Sequence, residues 1–308
     1  MQSGVFLILL SVSLTPLGDG LSKYLGQTQS PFFIVFLRYF VAGVIAVIAA
    51  RATGTPLEFP RRGRGGLLVR TALVMAAMTL LIVALTLIPL AHAVGGFLIA
   101  PIVAMLISVS FYGEKLTLAR LFGAVISLLG AVLILLPGAE LEVGMLIALT
   151  GGMLLGAFLA LTRQAKNQLN AMSTLTVQCL MGSVMLLPLA ASGMAHFHAS
   201  LIWPALGLGG VTAATHLLTV LAYQRADSAR LAPFFYFNLV AAIVVGLVWF
   251  NEIPSRAAIL GLSAIIFGGL VSLIRSPNFA ITIKDKRQTL YAAVGRNPLR
   301  SEQSEMKN

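Results

Sequence analysis

Ten runs of predominantly apolar residues follow one another along this chain, at about 3–23, 31–50, 67–87, 92–111, 119–137, 143–162, 172–192, 204–223, 231–250 and 257–274. A helix that crosses a bilayer needs about 20 such residues. A soluble fold could not bury that many apolar segments. The chain is 58% hydrophobic and 10% charged, against roughly 25% charged residues in soluble domains. Its mean hydropathy is +0.94. The expected fold is therefore an all-α polytopic membrane protein with ten transmembrane helices. The first run lacks a basic leader and a clear small-residue cleavage site, so it reads as a retained helix and not a signal peptide. The connections are short, and only 276–308 is long, polar and mixed in charge, which reads as a flexible tail.

The net charge is +11, and its distribution explains it. With ten spans, both termini and every second loop lie on one side. That side collects 18 of the 21 Lys and Arg residues, among them Arg61, Arg62, Arg64, Arg70, Lys115, Arg163, Arg225 and Arg230. The other side holds only Lys23 and Arg256, while Arg38 falls within the second span. Positive charge accumulates on the cytoplasmic side, so both termini are expected in the cytoplasm and the protein in the cytoplasmic (inner) membrane. The basic excess is a topology signal, and nucleic acid is excluded as a partner. Cys179 is the one cysteine and lies in an apolar run, so no internal disulfide or thiolate metal cluster is available.

Two stretches echo each other. Residues 112–133, YGEKLTLARLFGAVISLLGAVL, align with 250–271, FNEIPSRAAILGLSAIIFGGLV, at an offset of 138. Glu114 meets Glu252, Gly123 meets Gly261 and Gly130 meets Gly268; upstream, Phe97 meets Phe235. At an offset of 140, Lys23 meets Arg163. The repeating unit is about five helices, an odd number, so the second copy crosses in the opposite sense. The expected halves are 1–138 and 139–275, followed by the basic tail 276–308. Inverted repeats recur in secondary transporters, with a site near the midplane.

These features resemble the EamA-type branch of the drug/metabolite transporter superfamily. The resemblance rests on the acidic residue past each fourth helix (GEKLT, NEIPS), the glycine-rich fifth helices, SPFFIVFLRYFVAGV in the second helix, and AYQRADSARLAPFF leading into the ninth. It covers about residues 1–275. It implies a ten-helix carrier of small metabolites whose central cavity is lined mainly by the first, third, fourth, sixth, eighth and ninth helices. It implies no particular substrate, and mildly favours export.

The stretch TPLGDG (15–20) sits inside the first apolar run. Asp19 lies roughly 6 Å and Arg38 roughly 10 Å below the same membrane edge, at 1.5 Å per helical residue. A charge at a helix centre costs about 2.5–3.5 kcal/mol, which pairing Asp19 with Arg38, or with Lys23 one turn away, would relieve. The pair reads either as a static salt bridge or as a functional site, with Arg38 taking a substrate carboxylate or Asp19 a coupling proton; a hydrated, interfacial Asp19 is the third reading. Pro16, Gly18 and Gly20 suggest a hinge or gate at a helix break, or a frayed helix end. His216, near the midplane, could meet substrate, shuttle protons or bond a neighbouring helix. Gln178 and Asn238 have the same choice. Among the aromatics of APFFYFN (232–238), Phe235 and Tyr236 are the candidates for the pathway, and other members of the run should face lipid. Pro101 and HAVGG (92–96) permit a kink, and Gly152 to Gly156 forms a small-xxx-small packing pattern. Glu114 and Glu252 read as gating or capping groups.

No phosphate loop of the G-x-x-x-x-G-K-[ST] form occurs, and HFH (196–198) is too short for a metal site. No cofactor is expected. An intramembrane transferase would need clustered carboxylates or histidines at one face, which the sequence lacks, and a passive scaffold leaves the repeat unexplained. The expected activity is alternating-access transport of a small polar or amphipathic metabolite, such as an amino acid or opine-like metallophore, with export favoured. The alternative is uptake of a vitamin or nucleotide-type cofactor, riboflavin-like or S-adenosylmethionine-like. The partners are the substrate and the lipid bilayer; protons as a coupling ion and a second copy of the chain are further candidates.

Overall fold

Residues 2–59, 64–88, 90–113, 117–135, 143–164, 169–194, 197–251 and 256–274 are described by the computed structural model. All regular structure among them is helical: α1 (Gln2–Leu25), α2 (Pro31–Ala52), α3 (Arg64–Leu87), α4 (Leu90–Phe97), α5 (Ala100–Tyr112), α6 (Leu118–Leu135), α7 (Val143–Gln164), α8 (Ala171–Met194), α9 (Ile202–Arg225), α10 (Ser228–Leu231), α11 (Phe237–Phe250) and α12 (Arg256–Leu273). Short 3₁₀ turns occupy Ala199–Leu201 and Ala232–Tyr236. Within a bilayer only a helix or a closed barrel pairs every backbone group internally, and runs of Leu, Ala, Ile and Val supply the helix. Among the described residues, eight segments are long and apolar enough to cross a membrane, and Leu121–Gly130 and Ile259–Val271 are shorter apolar helices. The protein is a multi-pass membrane protein.

Local chemistry sets the boundaries. Ser30 caps α2, its hydroxyl accepting from the amide of Phe33 at 3.3 Å, with Pro31 at the first helical position, where a missing N–H costs nothing. Gly113 ends α5 and Asn251 ends α11, both left-handed (φ 65° and 55°), one of the commonest ways for a helix to stop.

The expected break at TPLGDG does not form. Helix α1 runs unbroken through Pro16, Gly18, Asp19 and Gly20. Pro16 sacrifices one donor, and the polar side chains nearby fold back on the helix: Thr15 donates to the carbonyl of Ser11 at 2.9 Å and Ser22 to that of Gly18 at 2.9 Å. The real interruptions lie elsewhere. One falls at Leu98–Ile99 between α4 and α5, where Pro101 cannot donate to the carbonyl of Phe97. Gly152 of α7 packs against that same carbonyl, leaving only 2.6 Å to where a Cβ would stand. The other spans 226–236, where α9 gives way to α10 and a 3₁₀ turn before α11.

Contacts gather at two faces of the bundle. On the near face, Gly4 abuts Ala226, Asn170 donates to the carbonyl of Pro56 at 3.1 Å, the amide of Glu58 donates to Ser173 at 2.9 Å, and Gln224 reaches the carbonyl of Leu169 at 3.4 Å. On the far face, Lys23 lies 4.9 Å over the Phe250 ring, Gly144 abuts Leu87 and Ile88, and Gly193 abuts Phe33. Helix α1 thus runs from near to far face and α7 from far to near. Glu114, Glu252 and the tail 276–308 lie outside the described residues.

Candidate functional site

A central cavity with room for about 100 Å³ of solvent lies between these faces. Its walls come from α1 (Ser11, Thr15, Asp19), α3 (Met78, Leu81), α4 and α5 (Phe97, Pro101), α7 (Phe158), α9 (Thr215, His216) and the start of α11 (Phe235, Asn238). Helix α2 also contributes, through Arg38 and Tyr39, a wall absent from the expected set.

At one end of the cavity sits the charged pair. Arg38 Nη1 is 3.1 Å from Asp19 Oδ1, and both residues are buried, at 4% and 1% exposure. Of the two partners open to Asp19, the structure selects Arg38, while Lys23 turns to Phe250. Gly18 leaves space beside the guanidinium, where a Cβ would stand 3.7 Å from Arg38 Nη2. The guanidinium is engaged on one side only, because its Nε is buried without a hydrogen-bond partner. Across the cavity, Asn238 Oδ1 is likewise buried and unpartnered. Native structures leave few such atoms, and here the two residues that carry them line one cavity.

His216 sits deeper. Its Nε2 is 3.0 Å from Gln178 Oε1. A carbonyl oxygen can only accept, so the imidazole donates through Nε2 and keeps Nδ1 as an acceptor. Its ring meets Tyr39 edge-on (centroids 6.4 Å) and Phe158 at a tilt (5.9 Å). Gln178 therefore does not line the cavity but holds the histidine that does.

The aromatic run divides differently from expectation. Phe235 lines the cavity, whereas Tyr236 is fully buried away from it with its hydroxyl unpartnered. Residues 232–236 form a 3₁₀ turn, which rotates each residue about 120° from the last, so neighbours cannot share the cavity. Nor do Phe234, Phe235 and Tyr236 face lipid; all are buried inside the bundle. Gly20 packs against Trp249 and Val245 of α11, and Pro101 lines the cavity beside the α4–α5 interruption. Among the described residues, no three of His, Cys, Asp or Glu stand together as a metal would require.

One residue was hidden from sequence reading. Arg70, counted above among the loop charges, is buried within α3 at 4% exposure. A basic residue six positions inside a helix start was the available signal.

A solved structure titled "Crystal structure of protein" superposes with a TM-score of 0.71 over 88% of this chain and 96% of its own, at 20% sequence identity. It shares the fold. The "S-adenosylmethionine uptake transporter" of Rickettsia conorii is 24% identical over 290 residues, 93% of this chain and 97% of the relative. The protein of the same name in Rickettsia prowazekii is 23% identical, with the same shares covered. The pattern of the EamA-like transporter family matches twice, at residues 2–136 and 142–274, and the chain belongs to that family of the drug/metabolite transporter superfamily.

Proposed function

We propose that this transporter is a ten-span carrier, built as two inverted halves, that moves a small zwitterionic, amino-acid-derived metabolite across the cytoplasmic membrane by alternating access. The observation that carries the reading is the pair of unpartnered buried atoms, Arg38 Nε and Asn238 Oδ1, beside the Asp19–Arg38 pair. An α-amino acid brings a carboxylate that suits the guanidinium of Arg38 and an ammonium that suits Asp19. The remainder of the substrate meets Phe158 and Phe235, whose rings favour a flat or apolar group.

The opposite senses of α1 and α7 support inverted halves at 1–138 and 139–275. The shorter apolar helices within α6 and α12, which pack together through Gly268 against Gly123 and Ser127, support ten crossings. The basic excess supports cytoplasmic termini and tail. Asp19 and His216 are the groups through which protons would couple.

The relatives' names favour one substrate within this class. S-adenosylmethionine is an α-amino acid bearing an adenine, so it offers the same carboxylate and ammonium with a flat ring. It is the first compound to test. Direction follows the substrate gradient when no ion is coupled, and the proton gradient when Asp19 or His216 carries a proton.

The test is counterflow in proteoliposomes loaded with unlabelled S-adenosylmethionine, with free amino acids as competitors. Saturable accumulation of labelled compound that Arg38→Gln abolishes supports the reading. Accumulation no greater than in protein-free liposomes, for this compound and for amino acids, overturns it.

A further inference from the structure

Building on that transport reading, we infer that Arg70 forms a second carboxylate-binding station, lying between the central cavity and the near face. Substrate would meet it after, or before, the Asp19–Arg38 station.

The first argument is charge accounting. Three carboxylates fall among the described residues: Asp19, Glu58 and Asp227. Asp19 is held by Arg38 and Asp227 by Arg163, while Glu58 is exposed on the near-face loop. Among the described residues Arg70 has no ion pair and no hydrogen bond, and its Nε is buried without a partner. A buried cation without a counter-charge is costly inside a membrane protein. A guanidinium kept there is therefore one that meets its anion in another step of the cycle.

The second argument is position. Arg70 lies six residues into α3 from the near face, about 9 Å by helical rise. His216 lies nine residues from the near-face end of α9, about 13–14 Å by the same rise. His216 lines the cavity, so by rise Arg70 stands about one helical turn closer to the near face than that part of the wall. Arg38 lies about 10 Å from the far face, which spaces the two guanidinium groups along the bundle on either side of His216.

Counterflow with two probes tests the assignment: S-adenosylmethionine and its decarboxylated analogue, which differ by the carboxylate alone. Arg70→Gln should raise the KM for S-adenosylmethionine about tenfold or more, as the loss of a charge-assisted bond does. The decarboxylated compound should keep its wild-type KM, and Arg70→Lys should recover part of the loss. Equal effects on both probes, or none on either, overturn the assignment. If KM instead follows chloride against gluconate in wild type but not in Arg70→Gln, the site holds a free anion and the substrate assignment fails.

Should wild-type protein move neither probe, the substrate reading fails separately. Cysteine labelling then decides Arg70 alone. With Cys179→Ser removing the one native cysteine, Arg70→Cys should react in folded protein with a negatively charged methanethiosulfonate. Reaction only after denaturation overturns the station.

Discussion

At the scale of single residues, the Asp19–Arg38 pair is the group most open to test. Both are buried, so removing one partner strands the other, a loss of about 3–5 kcal/mol in buried pairs. Asp19→Asn and Arg38→Gln should each lower the melting temperature in detergent. The double variant, with no stranded charge, should melt closer to wild type while transport stays lost. Recovery of both stability and transport in the double variant would make the pair a fastener and nothing more. Gln178→Leu removes the partner of His216 and should cost about 0.6–2 kcal/mol, the range for hydrogen bonds between membrane helices. It should also weaken substrate binding, because the histidine is no longer held; an unchanged KM would dissociate the ring from the site. The pair itself was legible from depth arithmetic, since helical rise and a short loop put Asp19 and Arg38 at one level. Arg70 was not legible, because a topology count treats every basic residue near a span end as a loop charge and burial is invisible to it.

At the scale of elements, the apolar runs located the helices to within a few residues, but not where they bend. Proline and glycine in α1 suggested a break, and none forms, because a single missing donor is tolerated where neighbouring helices hold the segment. Pro101 in α5 carries a similar signal and does mark an interruption, because α7 presents Gly152 to the freed carbonyl of Phe97 and Gly156 to that of Ala100. The difference lies in the packing partner, which no local pattern reveals. The same contact yields a prediction. Gly152→Leu and Gly156→Leu should drive α7 away from the α4–α5 corner, costing about 1–3 kcal/mol or more by overpacking, with a matching fall in melting temperature. Gly210→Ala is the control: a Cβ there meets only Ile45, at 4.0 Å, so its melting temperature should stay at the wild-type value.

At the scale of the whole molecule, alternating access requires that each face have a closure that can be released without disturbing the other. The near face has one in Arg163, which donates to the carbonyl of Tyr223 at 3.1 Å and pairs with Asp227, tying the end of α7 to the corner after α9. The far face has Lys23 over Phe250, tying the end of α1 to that of α11. Lys23 and Arg163 stand 140 positions apart, at matching places in the aligned sequence, so each end of the bundle has its own basic residue and the two closures can be tested separately. Asp227 is 48% exposed, and water weakens the near-face pair to about 1 kcal/mol. Losing it should raise the near-face-open population about fivefold. Thr219 lines the cavity six residues from the near-face end of α9, and reports on that opening. In a Cys179→Ser background, Thr219→Cys should react about fivefold faster with a membrane-impermeant maleimide once Arg163→Gln is added, and no faster once Lys23→Gln is added. Equal acceleration by both substitutions would mean that the two ends open together, and a molecule that behaves so would be a channel, not a carrier.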